Sequence, residues 1–284
     1  MFEKEGESMK KIFTSFFLCL GLLAACNQHS NGDSLSLKKT RTVMKEEIPF
    51  DFIPKTYKVV SVGDSLTQGV GDSTKRGGYL PYLEELLEGE KGVKEAIFTN
   101  YGVSGNRTSQ LLNRLKTKEI RSSIQEADIV IITTGGNDVM KVVKENFTTL
   151  DLSDFEKEMS RYESTLYSVI ETIRKDNPKA LIGLIGIYNP FYLYFSDVEE
   201  MEVVMDKWNS VSQTVLNNYE NTLFIDIADI FRESEESLLY TDYFHPNDKG
   251  YELMANRVFA VLQDDDGLKQ QYYAAKKVKE QDED

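Results

Sequence analysis

Tyr57-Lys58-Val59-Val60-Ser61-Val62-Gly63-Asp64-Ser65-Leu66 is the stretch on which the fold of this chain turns. Tyr57 to Val62 is rich in β-branched side chains, which favour extended backbone, and the run stops at Gly63. Similar short apolar runs recur at 96–100, 128–133, 181–187 and 223–227. The run at 128–133 (Asp-Ile-Val-Ile-Ile-Thr) is continuous rather than alternating, as in a strand covered on both faces. Helical spacing fills the intervals. Tyr79, Leu80, Leu83, Leu86 and Leu87 share one face of a helix within 78–87, and 108–125 reads as one or two helices. Ser153-Asp154-Phe155-Glu156 has capping-box spacing. Phe155, Met159, Tyr162, Leu166, Val169 and Ile173 then line one side of a helix that Asn177-Pro178 ends. A further helix is expected over about 198–219. The last, after Pro246, carries Tyr251, Met254, Ala255, Val258, Phe259 and Leu262. Five strands alternating with helices predict an α/β domain with a five-stranded parallel sheet covered on both faces. No Pro/Gly-rich linker divides residues 55–263, so they read as one domain.

In such sheets ligands bind beyond the carboxyl ends of the strands. Gly63-Asp64-Ser65 follows the first strand, Asn100 to Gly105 the second, and Gly135 to Asp138 the third. Asp242 and His245 precede the last helix. A hydrolase built on a nucleophilic serine needs a histidine as general base and a carboxylate to orient it. The chain has two histidines. His29 lies in a polar stretch near the N-terminus, and His245 has Asp242 three residues upstream, close enough to reach its Nδ1–H. Each feature also has a plainer reading. Ser65 could be a helix N-cap, His245 a capping or core histidine, and the two glycine-containing blocks ordinary strand-to-helix turns. Glycine lets backbone approach a ligand, and an asparagine amide such as that of Asn137 can donate to an oxyanion. Thr67 stands where a G-x-S-x-G elbow has its last glycine, which argues against an α/β-hydrolase.

The four blocks stand as GDSLTQG at 63–69, NYGVSG at 100–105, GGND at 135–138 and DYFHP at 242–246. Together they resemble the SGNH hydrolases, also called the GDSL lipase/esterase family, over nearly all of residues 57–263. The resemblance implies a flavodoxin-like three-layer α/β/α sandwich. It implies Ser65 as nucleophile, His245 as base and Asp242 as its orienting group. The oxyanion hole would comprise the backbone N–H groups of Ser65 and Gly105 and the side chain of Asn137. No metal or cofactor is implied. The activity implied is hydrolysis of acyl esters of lipids, lysolipids or acetylated sugars. A surface binding protein that kept the fold and lost the activity is the alternative. A nucleotide-binding domain is disfavoured, because no G-x-x-x-x-G-K-[ST] occurs and Gly69-Val70-Gly71 lacks a third glycine. The aromatic segment 188–195 after the fourth strand could line an acyl or sugar pocket, or pack onto the domain.

A net charge of −14 disfavours nucleic acid and docking on anionic lipid. Near the N-terminus, Met9-Lys10-Lys11 precedes an apolar run from Ile12 to Leu23, too short for a permanent span and suited to a signal peptide. Leu23-Ala24-Ala25-Cys26 resembles a bacterial lipoprotein signal. Residues 1–26 are therefore expected to be a signal ending in a lipidated Cys26, with a plain secretory signal as the alternative and Met9 as a candidate start. Residues 27–54 read as a flexible tether and 264–284 as a charged tail. The enzyme is expected outside the cytoplasm, anchored by lipid to the bacterial cell membrane. The other cysteine, Cys19, lies inside the apolar run, so the mature domain would hold no thiol. Gly32-Asp33-Ser34-Leu35 repeats the tetrapeptide at 63–66 with no strand before it and reads as chance.

Overall fold

The computed structural model describes residues 54–146, 151–191, 199–234 and 236–264. The signal with Cys26, nearly all of the tether, the charged tail beyond residue 264 and residues 192–195 of the aromatic segment lie outside them. Five strands run β1 Lys55–Gly63, β2 Val93–Gly102, β3 Ile129–Thr133, β4 Leu181–Ile185 and β5 Thr222–Ile225. The helices among the described residues are α1 Ser65–Gln68, α2 Leu80–Glu88, α3 Thr108–Leu115, α4 Lys118–Gln125, α5 Gly136–Glu145, α6 Leu152–Asp176, α7 Glu199–Leu216, α8 Ala228–Arg232 and α9 Asp248–Asp264. Every strand pair is parallel and the spatial order is β2-β1-β3-β4-β5. This is the flavodoxin-like α/β arrangement expected from the sequence. The chain steps outward from β1 to β2, then returns past β1 to β3. A crevice opens where the winding reverses, beyond the carboxyl ends of β1 and β3.

Two apolar layers hold the sheet. Successive strand residues point to opposite faces. Val60, Val62, Val130, Ile132, Ile182 and Leu184 pack with α3 to α7 on one side. Tyr57, Val59, Ile129, Ile131 and Leu181 pack with α2, α8 and α9 on the other. All five residues of β3 are buried. Burying a Val or Ile side chain stabilises by roughly 1.5–3 kcal/mol, so the central strand is a rigid base for the loops at its end.

The short helix α8 was not expected from the sequence, and three further elements differ from their reading. The α6 cap is Asp151, not Ser153. Its carboxylate accepts from the Ser153 N–H at 2.8 Å, while Asp154 reaches back to the Asp151 N–H. Aspartate serves both positions as well as Ser and Glu do. β2 is longer than 96–100, because it is an edge strand with largely exposed side chains and is held by its register with β1. α5 begins inside the GGND block, where a turn was expected. Val139 and Val142, with Val143 half-buried beside them, are its apolar face, too short a pattern to announce a helix.

Candidate active site

β1 ends at Gly63, where a Cβ would stand 2.3 Å from the Thr133 carbonyl and hydroxyl of β3. The two strand ends therefore meet with no room for a side chain. Asp64 then caps α1. Its Oδ1 accepts from the Leu66 N–H at 3.0 Å and the Thr133 hydroxyl at 2.9 Å. Burial pushes the Asp64 carboxyl above its usual range, with those hydrogen bonds opposing the shift. Capping is thus the task of Asp64. Ser65 is the first residue of α1 and is 4% exposed.

The second block clamps α1. Asn100 Nδ2 donates to the Thr67 carbonyl at 2.8 Å, and the Gly102 N–H donates to Asn100 Oδ1 at 2.8 Å. A Cβ on Gly102 would fall 2.1 Å from the Gln68 nitrogen. Gly105 has φ +76 with open space around it, so conformation rather than crowding calls for glycine. In the third block, Asn137 Nδ2 donates to the Asn106 carbonyl at 3.1 Å. The neighbouring Asp138 accepts from the Thr108 N–H and hydroxyl at 3.0 and 2.8 Å and ties α5 to α3. Burial pushes its carboxyl up, and the Thr108 bonds offset part of that.

In the fourth block, Asp242 Oδ2 lies 2.7 Å from His245 Nδ1. Asp242 Oδ1 accepts from the Phe244 and His245 N–H groups, each at 3.0 Å. Burial raises the Asp242 carboxyl, but these bonds to His245 and Phe244 outweigh it and hold the group below its usual range. The turn closes through Tyr240 N–H to the His245 carbonyl at 2.7 Å and Tyr243 N–H to the Tyr240 carbonyl at 2.9 Å. Tyr243 at its tip has φ +57, a conformation that costs a non-glycine residue about 1–3 kcal/mol. The turn docks on the loop after α1. Tyr251 donates to the Val70 carbonyl at 2.6 Å, and a Cβ on Gly71 would stand 2.3 Å from the Pro246 carbonyl and 3.4 Å from His245 Cβ.

A cavity with about 40 Å³ open to the centres of water molecules lies at this edge. Ser65 and Asn137 share its wall with Leu66, Ile185, Ile187, Tyr188, Pro190 and Phe244. Phe244 also meets the His245 ring edge-on, with centroids 5.0 Å apart. Tyr188 stacks on Phe231 at 3.9 Å and donates to the Phe244 carbonyl at 2.6 Å. Of the aromatic segment, then, Tyr188 both lines the cavity and packs onto the domain. Among the described residues no group of three or more His, Cys, Asp or Glu could hold a metal ion.

Sequence reasoning missed Arg114 of α3. Its Nη2 donates to the Tyr101 carbonyl at 2.6 Å, and its Nη1 to the Gly63 carbonyl and Asn106 Oδ1, both at 3.3 Å. One guanidinium thus joins the ends of β1 and β2 to the residue whose carbonyl holds Asn137. The available signal was an arginine between Leu111 and Leu115, both fully buried.

Residues 61–253 match the model of the GDSL-like Lipase/Acylhydrolase family. The chain is 33% identical over 254 residues to the uncharacterized protein YpmR of Bacillus subtilis (strain 168), across 89% of this chain and 96% of that one. It is 27% identical over 213 residues to the spore germination lipase LipC of Bacillus licheniformis, across 72% and 96%. Among solved structures, the lipase Lip_vut3 from a goat rumen metagenome superposes with a TM-score of 0.63 at 25% identity, over 72% of this chain and 97% of that one.

Proposed function

Because this chain belongs to the GDSL-like lipase/acylhydrolase (SGNH) family and is a carboxylic ester hydrolase, we propose that Ser65 is its nucleophile, His245 its general base and Asp242 the group that orients His245. The observation that carries this reading is the 2.7 Å contact between Asp242 Oδ2 and His245 Nδ1. A carboxylate there keeps the proton on Nδ1, so Nε2 carries the lone pair that accepts a proton. Ser65 Oγ attacks the ester carbonyl carbon as its proton passes to His245. The negative oxygen of the tetrahedral intermediate is held by the N–H groups of Ser65 and Gly105 and by Asn137 Nδ2. Collapse breaks the bond to the alcohol, whose oxygen takes the proton from His245. Water then attacks the acyl carbon as His245 takes its proton, and collapse breaks the bond to Ser65 Oγ, which takes that proton from His245 as the acid leaves. A serine-directed organophosphonate tests the assignment on the full-length chain. It should label Ser65 and not Ser34, and a folded sample that resists labelling would refute the nucleophile.

The wall beside Ser65 is largely apolar, with Leu66, Ile185, Ile187, Tyr188 and Phe244 on it, which supports the acyl half of the ester as the part held there. Rates on a series of esters from acetyl to palmitoyl should depend on acyl length, and equal rates across the series would overturn this placing. Asn137→Ala is expected to lower kcat by about 10²–10³ through loss of one oxyanion donor, with phosphonate labelling still at Ser65. An unchanged kcat would remove Asn137 from the hole.

The site of action we place outside the cytoplasm, with the chain held at the membrane by lipid on Cys26. The support is Leu23-Ala24-Ala25-Cys26 after the apolar run. Cys26→Ala should leave an unprocessed precursor or a protein released from the membrane fraction. Unaltered processing and lipid labelling in that variant would end the lipoprotein reading.

A further inference from the structure

We propose that Tyr188 couples the acyl cavity to the catalytic histidine: its ring is part of the cavity wall, and its hydroxyl sets the peptide group that presents an N–H to Asp242. The proposal rests on the serine-hydrolase reading and adds a positioning residue to it. Tyr188 stands three residues beyond the end of β4 and lines the cavity with Ser65 and Phe244. A wall needs only an apolar ring there. The hydroxyl is a cost unless it is bonded, because the residue is only 7% exposed. It donates to the Phe244 carbonyl at 2.6 Å, from a distant part of the sequence. Burial pushes the phenol pKa well above its ordinary value, so the hydroxyl keeps its proton and stays a donor.

That carbonyl belongs to the peptide between Phe244 and His245. The N–H of the same peptide donates to Asp242 Oδ1 at 3.0 Å, and Asp242 Oδ2 lies 2.7 Å from His245 Nδ1. A peptide group is a rigid plane. Here Tyr188 holds its oxygen and Asp242 its nitrogen. A donor on the carbonyl fixes the rotation of the plane and polarises the N–H, which strengthens the bond to the carboxylate. Asp242 in turn sets the imidazole. The series therefore runs from the acyl wall to the base through one peptide.

Tyr188 is itself anchored independently of that turn. Asn209 of α7 grips the preceding residue, accepting from the Ile187 N–H at 2.9 Å and donating to the Ile187 carbonyl at 2.8 Å. The following residue, Asn189, donates to Glu202 at 3.1 Å, and Arg232 holds the other Glu202 oxygen at 2.8 Å. The Tyr188 ring stacks on Phe231 of α8 at 3.9 Å, with the planes 16° apart. The phenol is thus a fixed point against which the turn is set. An acyl group on the ring and the base that serves its ester share one side chain.

The test is a double-mutant cycle on the full-length chain. Tyr188→Phe keeps the ring and its stack and removes only the hydroxyl. Its kcat should fall about tenfold on p-nitrophenyl acetate, butyrate and octanoate alike, with KM and the relative rates of the three esters unchanged. In an Asp242→Asn background the same change should cost less than about twofold, because the imidazole there already holds the wrong tautomer and its aim no longer limits the rate. Tyr188→Leu removes ring and hydroxyl together. It should show the same fall in kcat and, in addition, altered relative rates among the three esters. Rates are read below the melting temperature of the least stable variant, so loss of fold is not taken for loss of function. A Tyr188→Phe enzyme with kcat within about twofold of wild type overturns the positioning role. So does an equal loss in both backgrounds, which would make the bond a general support of the fold, and so does a loss expressed in KM. Unaltered relative rates in Tyr188→Leu overturn the wall. If wild type cleaves none of the esters and Ser65 resists the phosphonate, the hydrolase reading fails. With wild type active, the other adverse outcomes count against Tyr188 alone.

Discussion

Ser65→Ala and His245→Ala are each expected to lower kcat by about 10⁶, and the double variant should fall hardly further. In the proposed mechanism the two side chains act as one unit. Without His245 the Ser65 hydroxyl keeps its proton and attacks poorly, and without Ser65 the base has nothing to activate on the enzyme. His245 is the only histidine in residues 55–263, so no second imidazole can take its place. A residue of about 10³–10⁴ over the uncatalysed rate should persist from substrate binding and the oxyanion donors. Steady-state rates with a stringently purified sample measure this, and circular dichroism checks the fold. Losses that multiply in the double variant would mean independent roles. A His245→Ala enzyme within tenfold of wild type would mean that another base operates.

Asp242→Asn is expected to lower kcat by about 10⁴ while the fold survives. The asparagine oxygen can keep the position of Oδ1 and still accept from the Phe244 and His245 N–H groups, so the turn is preserved. Its NH₂ group then faces His245 Nδ1. That nitrogen must become the acceptor, the proton moves to Nε2, and the imidazole can no longer take a proton from Ser65. The same substitution should alter the acid side of stability. The Asp242 carboxyl is held below its usual range in the folded chain, so its contribution is present above the ordinary carboxylate pKa and is lost as pH falls through the lowered value. The Asn variant lacks that pH-dependent increment, so part of the difference from wild type in melting temperature should vanish at low pH. A kcat within tenfold of wild type at neutral pH would show that His245 needs no carboxylate to orient it.

Legibility from sequence followed burial. β1, β3 and β4 lie inside the sheet, and their apolar runs announce them. β2 is an edge strand whose pattern of burial is broken, so only its central apolar residues stood out. α6 was plain from Phe155 to Ile173, yet its start was displaced because two aspartates did what Ser153 and Glu156 were expected to do. At the site, the four blocks were readable because each couples glycine with a chemically distinctive polar side chain. Arg114 escaped notice, as did the contacts that hold Asn137 and Tyr188, because they are made mainly to backbone. Arg114 meets two main-chain carbonyls, Asn137 meets that of Asn106, and Tyr188 meets that of Phe244. Carbonyls are the same in every residue, so no sequence pattern displays such partners.

The contacts of Arg114 bear on how the protein comes apart. The guanidinium ties the carboxyl end of an edge strand to the loop on which Asn137 depends. Edge elements open locally at lower free energy than a buried strand such as β3. Fraying at the end of β2 would then misalign the proposed oxyanion donors while the central sheet stays intact. Loss of activity and global unfolding are then expected to be separate events, and on warming activity should fall reversibly below the temperature at which circular dichroism reports unfolding.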